Sequence, residues 1–254
     1  MTGPASRIAA LAGFARSIAM YRLNPLKRRR QIAFYRQFAG PGDLCFDVGA
    51  HLGDRVSAFR ALGARVVALE PQPAFARALR VLYGRDPGVV LLAQAAGPES
   101  GTAVLHVNRR APTLSTLSAD WAARVARAPS FRGQRWEEAV TVPVTTLDAL
   151  VARHGVPAFC KIDVEGFEAA VLDGLSAPIP CLSFEFVPAT MGGALACLDR
   201  LARLGRWEFQ VVFGESFRFA LPGWTGAEEL AARLAGLPAD AGSGDVYARL
   251  LTAG

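Results

Sequence analysis

Leu44-Cys-Phe-Asp-Val-Gly-Ala-His-Leu-Gly53 is the stretch on which the fold turns. Leu44–Val48 is an apolar run of strand length, Gly49 and Gly53 break it, and Asp54–Leu62 follows as a helix that stops at Gly63. A strand, a glycine turn and a helix make the first half of a βαβ unit, and the pattern repeats outward from here. Arg65–Leu69 reads as the next strand, Pro73–Tyr83 as a helix and Val89–Ala95 as a third strand. Further on, Phe159–Ile162, Cys181–Phe186, Glu208–Phe213 and Val246–Leu251 read as strands, with helices at Phe167–Leu172 and Ala194–Leu204. About seven sheet strands, the last two paired near the C-terminus, describe an α/β fold with a mostly parallel, doubly wound, Rossmann-like sheet; a plain dinucleotide-binding sheet has about six.

The middle of the chain differs. Thr102–Val107 and Val140–Val144 alternate as strands, and Thr146–Arg153 is a helix capped by Thr145 or Thr146. Residues 108–137 carry Arg, Pro, Ser and two Trp without clear period, which fits a substrate-facing insertion or lid and equally an ordinary surface loop. At the other end, residues 5–39 read as helical with a break at Asn24-Pro25, and Gly40-Pro41-Gly42 punctuates. The expected division is therefore an N-terminal helical extension, 1–40, followed by the main domain, 41–254.

Composition narrows the function classes. With 52% hydrophobic and 20% charged residues in 254, the chain has the makings of a large core and no disordered character. Lys27 and Lys161 are the only lysines, so the net charge of +6 is carried by arginine. The densest basic stretch, Lys27-Arg28-Arg29-Arg30 with Arg22 and Arg36, reads first as a solvated helix face; it leaves room for peripheral membrane contact through the N-terminal helix and argues only weakly for nucleic acid. Cys45, Cys160, Cys181 and Cys197 show no C-x-x-C pairing, and most lie in apolar strand-like runs, which points to a reducing, cytoplasmic compartment. No run is long and apolar enough for a membrane span.

The glycine turn after the first strand lets backbone approach a ligand and aims helix N–H groups at it. The G-x-G-x-x-G dinucleotide fingerprint is absent. Asp47, at the strand's end, would repel a pyrophosphate and welcome an ammonium or sulfonium, which tilts the cofactor from a nicotinamide dinucleotide towards S-adenosylmethionine. Glu70 closes the second strand at the ~20-residue spacing of a ribose-binding acid. Gln94, at the end of the third strand, is a candidate for the adenine edge.

Taken together, Asp47-Val-Gly-Ala-His-Leu-Gly53, Glu70-Pro71, Val144-Thr-Thr-Leu-Asp148 and Ile162-Asp-Val-Glu-Gly166 resemble the ordered motifs of FkbM-type methyltransferases, with a weaker echo in Asp245-Val-Tyr247. The resemblance implies a class I methyltransferase fold that uses S-adenosylmethionine to methylate a hydroxyl of a small molecule, secondary metabolite, sugar or glycan. It carries Asp47, Gly49, His51, Gly53, Glu70, Pro71 and Gln94 over as cofactor-binding positions. His51 and Gln94 stand where the family commonly has Asn; both keep a hydrogen-bonding side chain.

Methyl transfer to a hydroxyl needs alignment and a base. The expected site lies at the carboxyl ends of the strands, near the switch in strand order. Asp163 is the favoured base or orienting acid, Glu185 the second candidate and Lys161 the third. Lys161 and Asp163 share one face of a strand, so they can also form a simple ion pair. An Asp163/Glu165/Glu185 magnesium site is chemically conceivable, but the spacing demands none, and no metal is expected. The competing functions are a non-catalytic binding protein on the same fold, an RNA-ribose methyltransferase using the basic stretch, and a nicotinamide-dependent oxidoreductase, which Asp47 argues against.

Overall fold

The computed structural model describes residues 25–251; the expected helix over residues 5–24, and Arg22 with it, lies outside the described residues. A seven-stranded sheet forms the centre. Its members in chain order are β1 (Leu44–Val48), β2 (Arg65–Leu69), β3 (Val89–Leu92), then, after the two short strands β4 (Ala95–Ala96) and β5 (Gly101–Val107) and the longer β6 (Glu138–Thr145), β7 (Phe159–Ile162), β8 (Cys181–Phe186), β9 (Trp207–Phe213) and β10 (Gly244–Leu250). The order across the sheet is β3-β2-β1-β7-β8-β10-β9, and β10 runs antiparallel to both neighbours. The remaining three strands make a separate small sheet, β4-β6-β5.

Alternation along each strand sorts the core into two faces. Leu44, Phe46 and Val48 of β1 face one side, with Cys160 and Ile162 of β7 and Leu182, Phe184 and Phe186 of β8. That side is covered by α5 (Leu147–His154), α6 (Glu168–Asp173), α7 (Gly192–Leu204) and α8 (Ala227–Ala235) through Leu150, Leu172, Leu198 and Leu230. Cys45, Phe159 and Tyr247 face the other side, covered by α1 (Pro25–Tyr35), α2 (Asp54–Ala61) and α3 (Pro73–Tyr83). A sheet clad on both faces explains why β1 and β7 are buried at every position. The four cysteines are free and buried. No helix among the described residues is long and apolar enough to cross a membrane.

The described part of the N-terminal extension is built into this core. Tyr35 is wholly buried, and Phe38 stacks on Phe159 at 4.9 Å and on Tyr247 at 5.3 Å between ring centroids. Gly40-Pro41-Gly42 is thus a turn between α1 and β1, with Gly42 at φ +83°. Two further details differ from the sequence expectation. The third strand ends at Leu92, because the chain bends at Gln94 and Ala95–Ala96 pair in parallel with Val144–Thr145 instead. Residues 108–137 contain a helix, α4 (Ala119–Val125), whose cap Ser118 accepts from the Trp121 N–H at 3.1 Å.

Phe34 of α1 is buried edge-on against Tyr247 at 5.2 Å between ring centroids, so Phe34→Ala should cost about 3 kcal/mol or more of unfolding free energy, read as a fall of roughly 10 °C in Tm. An unchanged Tm would mean that α1 is dispensable to the core.

Candidate active site

β1 and β7 are neighbours at the point where strand order reverses, so their carboxyl ends part and open a cleft. The turn after β1 is pinned to the end of β2: the Gly49 and Ala50 N–H groups both donate to the Leu69 carbonyl at 3.0 and 2.8 Å. Gly49 sits at φ +87°, and a Cβ there would fall 1.8 Å from the Asp163 carbonyl oxygen, so only glycine fits. His51 also adopts a left-handed backbone, φ 49°, and its N–H donates to Glu70 Oε2 at 2.8 Å. The other Glu70 oxygen accepts from the Gln72 N–H at 2.7 Å. Glu70 thereby fixes the turn, and each of its oxygens keeps a second lone pair for a ligand.

The resulting cavity has a volume of about 440 Å³. Asp47, Gly49, His51, Glu70, Pro71 and Gln94 all line it, and so do Asp163 and Glu185. Gly53 does not. It caps α2 at φ +74°, and a Cβ there would meet Tyr83 at 2.6 Å and Leu79 at 2.8 Å, so this glycine serves the packing of α2 on α3. Lys161 does not line the cleft either. It is 1% exposed and donates to Asp163 Oδ2 at 3.1 Å and Asp245 Oδ1 at 2.7 Å. The expectation that Lys161 acts on a ligand gives way to a structural ion pair.

Charge is distributed unevenly along the cleft. Asp47 is 1% exposed and its Oδ2 has no hydrogen-bond partner among the described residues. Burial pushes its carboxyl up to about 7, against the pull of Arg55 and Lys161. Burial likewise lifts Glu70 to about 7, against the Gln72 and His51 hydrogen bonds. Burial also lowers His51 to about 4, so the ring is neutral at pH 7; it packs 3.9 Å from the Phe75 ring centroid.

At the far end, Asp163, Glu165 and Glu185 each bring an oxygen within 4.8 Å of the others. Burial opposes the charge on Asp163, yet Lys161 and Arg55 outweigh it and hold this carboxyl below its usual range. Glu165 and Glu185 go the other way, raised well above the ordinary value first by burial and then by their acidic neighbours. These oxygens could hold a hard cation, but nothing beyond proximity speaks for one, and shared protons account for the cluster equally well.

Several residues of the site escaped the sequence reading. Glu168 Oε1 accepts from Val164 N at 3.0 Å and Gly166 N at 3.2 Å, fixing the loop that carries Glu165 at φ 55°. Thr116 Oγ1 donates to the Glu165 carbonyl at 2.7 Å, bringing the middle segment onto the cleft. Arg55, Glu215 and Asp245 complete the wall. Lys27 of α1 pairs with Glu215 at 2.6 Å and with Asp54 at 3.5 Å, tying α1 to the mouth of the cleft. Of these, Asp245 had a sequence signal in Asp245-Val-Tyr247, and Thr116 lies in the middle segment read as facing a ligand.

The pattern of the methyltransferase FkbM domain matches residues 47–191, more than half of the chain and both ends of this cleft. The chain belongs to the FkbM-domain methyltransferases. Its sheet, with one antiparallel strand between the last two parallel ones, is the class I methyltransferase arrangement. No curated protein matches the sequence. Among solved structures it is similar to a putative O-methyltransferase from Klebsiella pneumoniae (TM-score 0.48, 9% identity, covering 99% of this chain and 92% of that one). It is also similar to an O-methyltransferase from Bacillus cereus in complex with SAH (TM-score 0.46, 11% identity, 99% and 92% covered). A third similar structure is a precorrin-6y C5,15-methyltransferase from Geobacter metallireducens (TM-score 0.44, 10% identity, 87% and 88% covered). In this FkbM-domain methyltransferase the cofactor is S-adenosylmethionine, and the cleft suits it: the orphaned, buried Asp47 oxygen is matched to an ammonium group.

A raised carboxyl has a signed consequence. Between pH ~4 and ~7 the folded chain keeps a proton on Asp47 that the unfolded chain has lost, so this group's contribution to stability falls as pH rises through that window. Affinity for a cationic ligand, which needs the carboxylate, should rise over the same range and level off above pH 7. Asp47→Asn should flatten both trends and weaken S-adenosylmethionine binding about tenfold or more, measured by calorimetry from pH 5.5 to 8. In a separate test, Lys161→Met leaves buried Asp245 and half-buried Asp163 without their cation and should cost ~3–5 kcal/mol by denaturant titration, easing as pH is lowered.

Proposed function

We propose that this methyltransferase modifies a hydroxyl oxygen of a small hydroxylated acceptor, either a free metabolite or a glycan. The observation that carries this reading is Glu185. It stands at the carboxyl end of β8 in the wall of the cleft, and its Oε2 is buried with no hydrogen-bond partner among the described residues. A hydroxyl must shed a proton as its oxygen is methylated, and the unpartnered Glu185 oxygen in the cleft wall is placed to take it when ionised.

When bound, S-adenosylmethionine supplies a sulfonium methyl group, which the acceptor oxygen takes as the carbon–sulfur bond breaks. Asp47 would hold the cofactor's ammonium, Glu70 the ribose hydroxyls and Gln94 the adenine edge, with Gly49 allowing close backbone approach and His51 and Pro71 completing the wall. Glu185 takes the proton of the acceptor O–H. Asp163 was the favoured base on sequence grounds, but Lys161 lowers its proton affinity and suits it instead to orienting the acceptor hydroxyl as a fixed anion. Lys161 acts through Asp163 as a positioning residue.

Thermal unfolding with S-adenosylmethionine, S-adenosylhomocysteine and NAD side by side tests the cofactor half. At about 100 times Kd a specific ligand adds roughly 2.7 kcal/mol, a rise of several degrees at ~2–4 °C per kcal/mol. Both sulfur ligands should shift Tm and NAD should not. Labelled-methyl transfer tests the chemistry: Glu185→Gln should lower kcat about 10²–10⁴-fold and leave cofactor binding in place. Full activity in Glu185→Gln would remove it as the base.

A further inference from the structure

A second cavity, of about 360 Å³, lies between α4 and the segment from Val187 to Ala194. The two cavities share a single lining residue, Glu185. Glu185 thus borders both spaces, beside Asp163. We infer that this second cavity is the acceptor's seat and that it takes an uncharged, hydroxyl-rich ring, a neutral sugar or cyclitol; the inference rests on the methyl-transfer reading above.

The walls are built for a ring. Trp121 is 4% exposed, held edge-on by Phe131 at 6.0 Å and Trp136 at 5.9 Å, and packed against Val187 across the cavity's edge. Its indole also fills the space above Gly166, where a Cβ would fall 2.0 Å from Cδ1, so the indole is fixed relative to the loop that carries Glu165. The part of the indole that lines the cavity is rigid, so a ring packs against it at little entropic cost. Opposite it, Gly192 and Gly193 open α7 without side chains, and nothing lies within 4 Å of a Cβ placed at either. Between these walls the polar groups are Thr190, Glu168 and Glu185.

Charge selects the class. Glu168 and Glu185 line the cavity, and Asp163 and Glu165 each bring an oxygen within 4.8 Å of Glu185. The buried ammonium beside them, Lys161, is already shared between Asp163 and Asp245. Arg124, the cationic residue of the cavity lining, sits at the rim with its side chain 66% exposed, 3.6 Å from Asp120. A carboxylate or phosphate on the acceptor would find Lys161 and Arg124 already paired, whereas hydroxyl groups can hydrogen-bond with these carboxyls. Neutral polyols are favoured over their acidic counterparts on both counts.

The test uses the full chain. Calorimetry with S-adenosylhomocysteine comes first; no binding would take down the methyl-transfer reading and this inference with it. With the product bound, methyl glucoside, methyl mannoside and myo-inositol at millimolar concentration should change the intrinsic tryptophan fluorescence, and Trp121→Phe should abolish the change. Transfer of labelled methyl to these neutral probes should exceed transfer to glucuronate and glucose 6-phosphate tenfold or more. Gly193→Phe, which fills the cavity, should cut transfer at least tenfold with the S-adenosylmethionine Kd within twofold of the parent. Thr190→Phe repeats that test from another wall should the first variant fold poorly. Three results would each overturn the proposal: equal or better transfer to the acidic probes, full transfer in both blocked variants, or no fluorescence response and no transfer with any neutral probe while S-adenosylhomocysteine binds.

Discussion

The Lys161 ammonium, buried between Asp163 and Asp245, is the interaction on which the rest depends. Taking a cation out of water costs several kcal/mol unless its partners are well placed, and here they come from a strand end and from a strand far along the chain. Satisfying it fixes where β10 sits relative to β7, although β8 lies between them. It also decides how protons divide among the acids at the strand ends. Asp163, next to the ammonium, stays charged; Glu165 and Glu185, farther from compensation, hold protons more tightly. One cation thus sorts three neighbouring carboxyls into an anion and two groups able to accept or share protons, a division that acid–base chemistry on a hydroxyl can use.

Local patterning explains what was legible. β1, its glycine turn and α2 are written in one contiguous stretch, residues 44–61, and Asp47 and Glu70 mark strand ends that any parallel sheet would bring side by side. The pairing of Lys161 with Asp163 follows from alternation alone. The second partner, Asp245, lies 84 residues from Lys161 and reaches it only because β10 inserts antiparallel between β8 and β9, a step that no local period encodes. Gly53 misled for a related reason: a glycine in a ligand-type turn was there to admit Tyr83 and Leu79, which arrive from another helix. The Gly40-Pro41-Gly42 turn read as a border because punctuation is a strong local sign. The aromatic side chains just before it, which pack on Phe159 and Tyr247, carry the contrary message only once the sheet is known.

The middle segment shows the same division between local and distant causes. Its strands were visible as alternation, but their union with Ala95–Ala96 into a small separate sheet depends on the bend at Gln94. That bend turns Gln94 towards the cleft, and the small sheet delivers Thr116 to the Glu165 loop and Trp121 to Gly166. The insertion is therefore part of the machinery that shapes the reacting end, held by hydrogen bonds and by a small apolar cluster around Trp121 that Val187 joins.

The position of β10 has a consequence for how the chain comes into being. It follows every other described strand in sequence yet occupies an interior place in the sheet, with Asp245 and Tyr247 both turned to partners far upstream. A nascent chain that has emerged only as far as β9 has a gap beside β8, a lysine with one of its two anions, and an aromatic cluster missing a member. Such long-range closures are late and slow steps in folding. The site is accordingly completed only when β10 takes its place between β8 and β9.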